Sequence, residues 1–241
     1  MKKDNVFSNP INKIVDFKFD ENVANVFEDM LRRSVPGYAT IISTTGMLTK
    51  IYAKSNSNFY DLGSSLGASA LSMQQSLTHP NCKVIGVDNS EAMIERSRQL
   101  LEQSKSSVPI ELVCDDIRNV KIENASVVVL NYTLQFIEPD SRETILQNIY
   151  NGLNKGGILI LSEKIVFNDS ALNERQIKRY YDFKRLQGYS ELEISQKRNA
   201  LENVLIPETS EQLLNRLEKA GFKHSDLWFQ LYNFISIVAE K

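Results

Sequence analysis

Asn58-Phe-Tyr-Asp-Leu-Gly-Ser-Ser-Leu-Gly67, followed by Lys83-Val-Ile-Gly-Val-Asp-Asn-Ser90, decides the fold. Each stretch begins as a short apolar run suited to a strand and ends in glycine or an acid just before a helical pattern. Glycine after a strand lets the turn tighten and lets a ligand approach the backbone closely. The spacing of Gly63 and Gly67 differs from the GxGxxG dinucleotide fingerprint, and no GK[ST] phosphate loop follows. A Gly-rich turn without a ligand therefore stands as one reading of the first stretch. Asp88 comes 21 positions after Gly67, at the end of a strand that an adjacent parallel pairing would deliver beside the first turn. There its carboxylate can accept both hydroxyls of a ribose, through charge-assisted bonds of about 1.5–3 kcal/mol each. Capping the next helix is the other reading of Asp88.

Working outward, short apolar runs alternate with amphipathic stretches from about residue 55 to the end, the pattern of βα units around a mostly parallel sheet. Strands are expected at 58–62, 83–88, 110–114, 126–131 and 158–163. Ser90 is placed to cap a helix carrying Met93, Ile94, Leu100 and Leu101. Ile145, Ile149 and Leu153 mark another helix, which Lys155-Gly156-Gly157 should end. Thr209 and Gln212 form a capping-box pattern for a helix that stops at Gly221. The runs 222–229 and 234–239, joined around Tyr232-Asn233, should pair antiparallel at one edge of the sheet.

Two segments fall outside the alternation. Residues 1–54 read as a flexible tip and two helices, one on each side of Pro36. Residues 165–205 interrupt the step from the fifth strand to the final helix and are dense in charge. They read either as solvated surface helices or as a lid or dimer arm over the open end of the sheet.

The 241 residues are 42% apolar, which excludes disorder as the main state, and no apolar run approaches the roughly 18 residues of a membrane span. The first ten residues have no apolar core of the kind a secretory signal carries, so the cytoplasm is the expected compartment. With 28 basic and 30 acidic residues, a dominant nucleic-acid surface is not expected. Cys82 and Cys114 sit outside any CxxC spacing and read as buried thiols, so neither a disulfide nor a metal site is expected. Only His79 and His224 are available for histidine acid–base chemistry.

In an open parallel sheet, ligands bind beyond the carboxyl ends of the strands where strand order reverses. Every motif falls at such an end. Asp115-Asp116-Ile117 follows the third strand, where Asp116 can take an adenine amino group and Ile117 can pack on the ring; paired acids there are also common as plain loop residues. Together with Asn131 at the end of the fourth strand and Gly156-Gly157 before the fifth, this ordered set resembles the class I S-adenosylmethionine-dependent methyltransferases over about residues 55–240. That resemblance implies a Rossmann-like α/β fold: a mostly parallel seven-stranded sheet with an antiparallel C-terminal strand, an N-terminal helical extension (1–54), and an S-adenosylmethionine-binding domain (55–241) carrying the insertion.

Tyr60-Asp-Leu-Gly-Ser-Ser-Leu-Gly-Ala-Ser69, Asn131-Tyr-Thr-Leu-Gln-Phe136, Ile194-Ser-Gln-Lys-Arg-Asn-Ala-Leu-Glu-Asn203 and Leu227-Trp-Phe-Gln230 are more specific. They resemble the carboxy-S-adenosylmethionine synthase family nearly end to end. The resemblance implies that S-adenosylmethionine and prephenate are converted to carboxy-S-adenosylmethionine, phenylpyruvate and water. The product would serve a separate enzyme that carboxymethylates a tRNA wobble uridine; this chain would form a homodimer and would touch neither tRNA nor membrane. It also implies nucleoside contacts at Tyr38, Gly63, Ser64, Ser65, Asp88, Asn89, Asp116, Ile117 and Asn131. Arg198 would bind the transferred carboxylate; without the resemblance it reads as a solvated helix residue. Tyr38 rests on resemblance alone. An ordinary small-molecule methyltransferase and a non-catalytic partner subunit with the same fold are the competing expectations.

Overall fold

The computed structural model describes residues 2–102, 104 and 106–241. Two helices, α1 (Glu21–Ser34) and α2 (Tyr38–Tyr52), precede β1 (Asn58–Leu62), α3 (Ala68–Ser76), β2 (Lys83–Asp88), α4 (Glu91–Leu101), β3 (Ile110–Cys114) and β4 (Ala125–Asn131). Then come α5 (Pro139–Gly152), β5 (Leu153–Lys164), α6 (Ser170–Leu186), α7 (Glu191–Leu201), α8 (Ser210–Ala220), β6 (His224–Leu231) and β7 (Phe234–Glu240).

The strands form one sheet in the order β3-β2-β1-β4-β5-β7-β6. β1 pairs in parallel with both β2 and β4, so strand order reverses between β1 and β4 and a crevice opens beyond their carboxyl ends. β7 runs antiparallel to both β5 and β6, as the C-terminal hairpin required. Both faces of the central strands are covered, which is why they read as continuous apolar runs rather than alternating ones. On one face Tyr60, Leu62, Val128, Leu130, Leu159 and Leu161 pack with Ile145 and Ile149 of α5 and Leu213 and Leu217 of α8. On the other, Phe59, Val127, Val129, Ile158 and Ile160 meet Ala70 and Met73 of α3 and Leu48 and Tyr52 of α2.

The caps form where the sequence placed them. Ser90 Oγ accepts from Met93 N, and the Thr209–Gln212 box closes in both directions before α8 ends at left-handed Gly221. One boundary differs: α5 already stops at Gly152, and β5 begins at Leu153. Lys155-Gly156-Gly157 therefore does not end the helix. It makes a bulge inside β5, where Gly156 has φ +71° and the register against β4 shifts between Ala125 and Val127. A helix-like spacing that continues to Leu153 cannot reveal that its last member has passed into a strand.

The N-terminal tip is packed. Phe7 and Phe17 join Phe27, Met30, Met93 of α4 and Ala200 of α7 in one apolar cluster. Gln196 of α7 ties down the same segment, accepting from Ile11 N and donating to the carbonyls of Phe7 and Asn9. The segment through α1 and the insertion thus share a core above the carboxyl ends of the strands, whereas α2 packs on the sheet face. Cys82 is buried, but Cys114 is exposed, correcting the expectation of two buried thiols. β3 is the edge strand, and its last residue has no neighbour strand beyond it to cover the side chain. Among the described residues no helix is long and apolar enough to cross a membrane.

Candidate functional site

A cavity of about 360 Å3 lies at the strand-order reversal, within the range that takes a drug-sized ligand. Its floor is the turn after β1. Gly63 (φ +79°) and Ser65 (φ +47°) are left-handed, and the amides of Gly63 and Ser64 both donate to Val87 O at 2.8 Å. A Cβ at Gly63 would fall 2.2 Å from Thr133 Oγ1, so only glycine lets the turn lie against the end of β4. Ser64 lines the cavity, and its buried Oγ, lying against Gly86 of β2, has no hydrogen-bond partner among the described residues.

Asp88, at the end of β2, is nearly buried. Its Oδ2 accepts from Ser65 N at 2.8 Å and its Oδ1 from Ser90 N at 2.9 Å. The carboxylate therefore clamps the glycine turn to the start of α4, and each oxygen keeps a lone pair for a ligand hydroxyl. The contact to the start of α4 is present, and serving Ser90 leaves the outward lone pairs open. Burial raises its pKa, and the two backbone donors oppose that rise. Beneath it, Asp61 is fully enclosed and accepts from Ala70 N at 2.9 Å. Burial, with the Asp88 charge adding to it, pushes its pKa up to about 7.

Asn89, Asp116, Ile117, Asn131 and Tyr38 also line the cavity, so nine of the ten expected contacts converge there. Two have inner commitments that the sequence did not reveal. Arg118 holds Asp116 through Nε (2.9 Å) and Nη2 (2.6 Å), which lowers the carboxyl pKa. The Asn131 amide donates to Ser69 Oγ and accepts from Ser162 Oγ, joining α3 and β5 to the end of β4. Burial raises the Tyr38 phenol, with Asp61 and Glu28 charges adding to the effect.

Arg198 is not brought to this cavity. It lies on the exposed side of α7, with Nε 3.4 Å from Asn199 Oδ1, whereas its neighbour Lys197 is buried and does line the cavity. The insertion that carries both residues is a roof for the site of its own chain: Tyr180 of α6 and Leu201 of α7 are wall residues. Sequence reading also missed Phe19, Tyr132, Lys164 and Phe234. A usable signal existed for Tyr132, in the quoted stretch directly after Asn131. It is left-handed (φ +60°), and its buried hydroxyl has no hydrogen-bond partner among the described residues.

A methyltransferase-domain family model matches residues 59–157. A carboxy-S-adenosyl-L-methionine synthase from Citrifermentans bemidjiense is 56% identical over all of this chain and 99% of its own. The synthases of the same name from Actinobacillus succinogenes and Aliivibrio fischeri are 53% and 56% identical, over at least 98% of each chain. The chain belongs to the carboxy-S-adenosyl-L-methionine synthase family. Among solved structures, human N-acetylserotonin methyltransferase in complex with its methyl donor superposes with a TM-score of 0.60 at 16% identity, covering 92% of this chain and 55% of that one. A cyclopropane synthase from Mycobacterium tuberculosis gives 0.59 at 12% identity, covering 78% and 62%. Those likenesses are of fold: the class I methyltransferase sheet carries different chemistries through what is built over its carboxyl ends. In this family member the superstructure is the N-terminal segment with α1 and the insertion with α6 and α7.

Proposed function

We propose that this protein is an enzyme that makes carboxy-S-adenosylmethionine from S-adenosylmethionine and prephenate, releasing phenylpyruvate and water. The observation that carries the reading is the identity of more than half the residues, over the whole chain, with synthases of that name. Asp88 takes the ribose hydroxyls, Asp116 and Ile117 the adenine, and the turn at Gly63–Ser65, whose amides are already bonded to Val87 O and Asp88, lies against the remaining edge of the nucleoside. In the reaction, loss of carbon dioxide from the prephenate ring expels the ring hydroxyl. The departing hydroxide takes a proton from the sulfonium methyl to become water, and the ylide carbon forms a bond to the released carbon dioxide. No protein base is needed, which agrees with a cavity lining in which neither His79 nor His224 takes part. The protein's contribution is to orient two reactants and keep water from the ylide. The roof of α1, α6 and α7 over the strand ends supports that role.

Arg198 enters this reading through a second copy. A guanidinium on the outer side of α7 can clamp the new carboxylate of a neighbouring subunit, so the enzyme works as a homodimer. Mixing Arg198→Ala and Asp88→Ala subunits tests this, because activity returns in mixed dimers only if the arginine acts across the interface. The product would supply a separate enzyme that carboxymethylates a tRNA wobble uridine in the cytoplasm. Mass spectrometry of nucleoside released from purified protein tests the reaction: a ligand heavier than S-adenosylmethionine by one carboxyl group is expected. Unmodified donor alone, with no prephenate consumption and with methyl transfer to another acceptor, would identify an ordinary methyltransferase instead.

A further inference from the structure

Lys164, Lys184 and Lys197 converge at one side of the cavity and have too little negative charge around them. Lys164, at the end of β5, and Lys197, in α7, line the cavity, and Lys184 of α6 is buried behind them. Among the described residues, the ammoniums of Lys164 and Lys184 make neither a hydrogen bond nor an ion pair; their near neighbours are the faces of Tyr180 and Tyr189 at 5.3–5.5 Å. Lys197 Nζ reaches Ser34 Oγ at 3.3 Å and Asp4 Oδ2 only at 4.0 Å. That same Asp4 oxygen also accepts from the Tyr189 hydroxyl. The other nearby acids are spoken for, Asp29 by Arg32 and Arg33 and Glu193 by the Ser190 cap. Burial lowers all three lysines, and Lys164 and Lys197 repel the charge of Lys184. Buried ammoniums without counter-charges are costly, and an anion bound in the adjoining cavity would offset that cost.

The surroundings narrow the ligand. Tyr180 packs on Phe234 with ring centroids 5.0 Å apart, and Phe234 packs on Tyr132 at 5.8 Å, next to the unpartnered Tyr132 hydroxyl. Lys164 and Phe234 are register partners across β5 and β7. β5 is three strand spacings from β2, so this lobe stands roughly 14 Å along the sheet from Asp88, at about 4.8 Å per strand. One cavity therefore presents acids to a nucleoside at one end and lysines with aromatic faces at the other.

We infer that the lobe bounded by Lys164, Lys197, Tyr180 and Phe234 is the subsite of the second substrate, a compact ring-bearing carboxylate. The inference rests on the proposed reaction and adds its missing recognition element. With prephenate as occupant, the lysines hold the carboxylate that survives in the 2-oxo acid product. A cation beside the carboxylate that leaves as carbon dioxide would stabilise the charge that must be lost. The ring lies against Tyr180 and Phe234.

The test compares Lys164→Met and Lys197→Met with charge-keeping Lys164→Arg and Lys197→Arg, in the full-length protein. Calorimetry should give the Met variants wild-type affinity for S-adenosylhomocysteine within about twofold, which also shows that they fold. Their KM for prephenate should rise about 10- to 100-fold, as expected for loss of one charge-assisted contact. The Arg variants should recover part of it. Phenylpyruvate binding to protein loaded with S-adenosylhomocysteine should weaken in parallel. Unchanged prephenate KM and unchanged phenylpyruvate affinity in both Met variants would overturn the subsite while leaving the reaction standing. Lysine-dependent phenylpyruvate binding without prephenate turnover by the wild type would keep the subsite and overturn the reaction.

Discussion

Replacing Asp88 with alanine removes two kinds of contact at once, and the structure separates them. Each carboxylate oxygen already accepts one backbone N–H, from Ser65 and Ser90, leaving one lone pair on each for a ribose hydroxyl. Two charge-assisted bonds at about 1.5–3 kcal/mol each set an additive ceiling of about 6 kcal/mol. Coupled contacts add incompletely and water refills the gap, so a loss of about 3 kcal/mol is expected, roughly 150-fold in Kd. The Ala variant also orphans two amides, at about 1–3 kcal/mol each, and its Tm should fall by roughly 4–24 °C. Asp88→Asn keeps one acceptor and should sit between the wild type and Ala on both scales. The assay is calorimetry with S-adenosylmethionine and with neutral S-adenosylhomocysteine, on variants verified as folded. A carboxylate at the ribose sees the same partner in both ligands, so both must weaken equally. Affinity within threefold of wild type, or a loss confined to the sulfonium ligand, would refute a ribose grip. Because burial raises the carboxyl pKa, affinity should also begin to fall on acidification earlier than an ordinary aspartate would dictate.

Gly63→Ala should cost about 1–3 kcal/mol of stability, visible as a lower urea midpoint, and should weaken nucleoside binding, because left-handed backbone and the Thr133 contact at 2.2 Å both oppose a Cβ; an unchanged midpoint would show that the turn is not strained in this way. Asp61 is raised to about 7 and Glu163 to about 8, chiefly by burial, against roughly 4 in the unfolded chain. The folded state therefore binds more protons between about pH 4 and 8: this stabilisation is complete below pH 4 and is lost as pH rises through 7 and 8. Asp61→Asn should flatten the wild-type decline between pH 4 and 7 in chemical unfolding, leaving the Glu163 share up to pH 8; parallel curves would contradict the assignment. Arg198→Lys should weaken the carboxylated ligand selectively, by about tenfold, since a point charge replaces a two-pronged fork; equal loss of both ligands would make Arg198 a support of the fold.

The chain order of strands and caps was legible because it is written locally. A strand read from 83–88 needs only its own apolar run, and the Ser90 cap needs only its neighbour three residues on. The convergence of Gly63–Ser65, Asp88 and Asp116 on one cavity was legible for the same reason, since each lies at or just beyond the end of a strand and the parallel sheet lines those ends up. What the sequence could not show is where side chains from distant segments meet. Asn131 looked free, yet its amide is taken by Ser69 and Ser162. Arg198 and Lys197 are adjacent in the chain, and only the rotation of α7 against α1 decides that the lysine faces inward and the arginine outward. The lysine lobe joins residues from β5, α6 and α7, and a lysine in a charge-rich helix reads as solvated until burial against Asp4, Ser34 and Tyr189 is known. Local periodicity thus settled the sheet and the strand-end turns of the cavity, whereas the lysine lobe exists only through the packing of β5, α6 and α7 against one another and against the distant N-terminal segment.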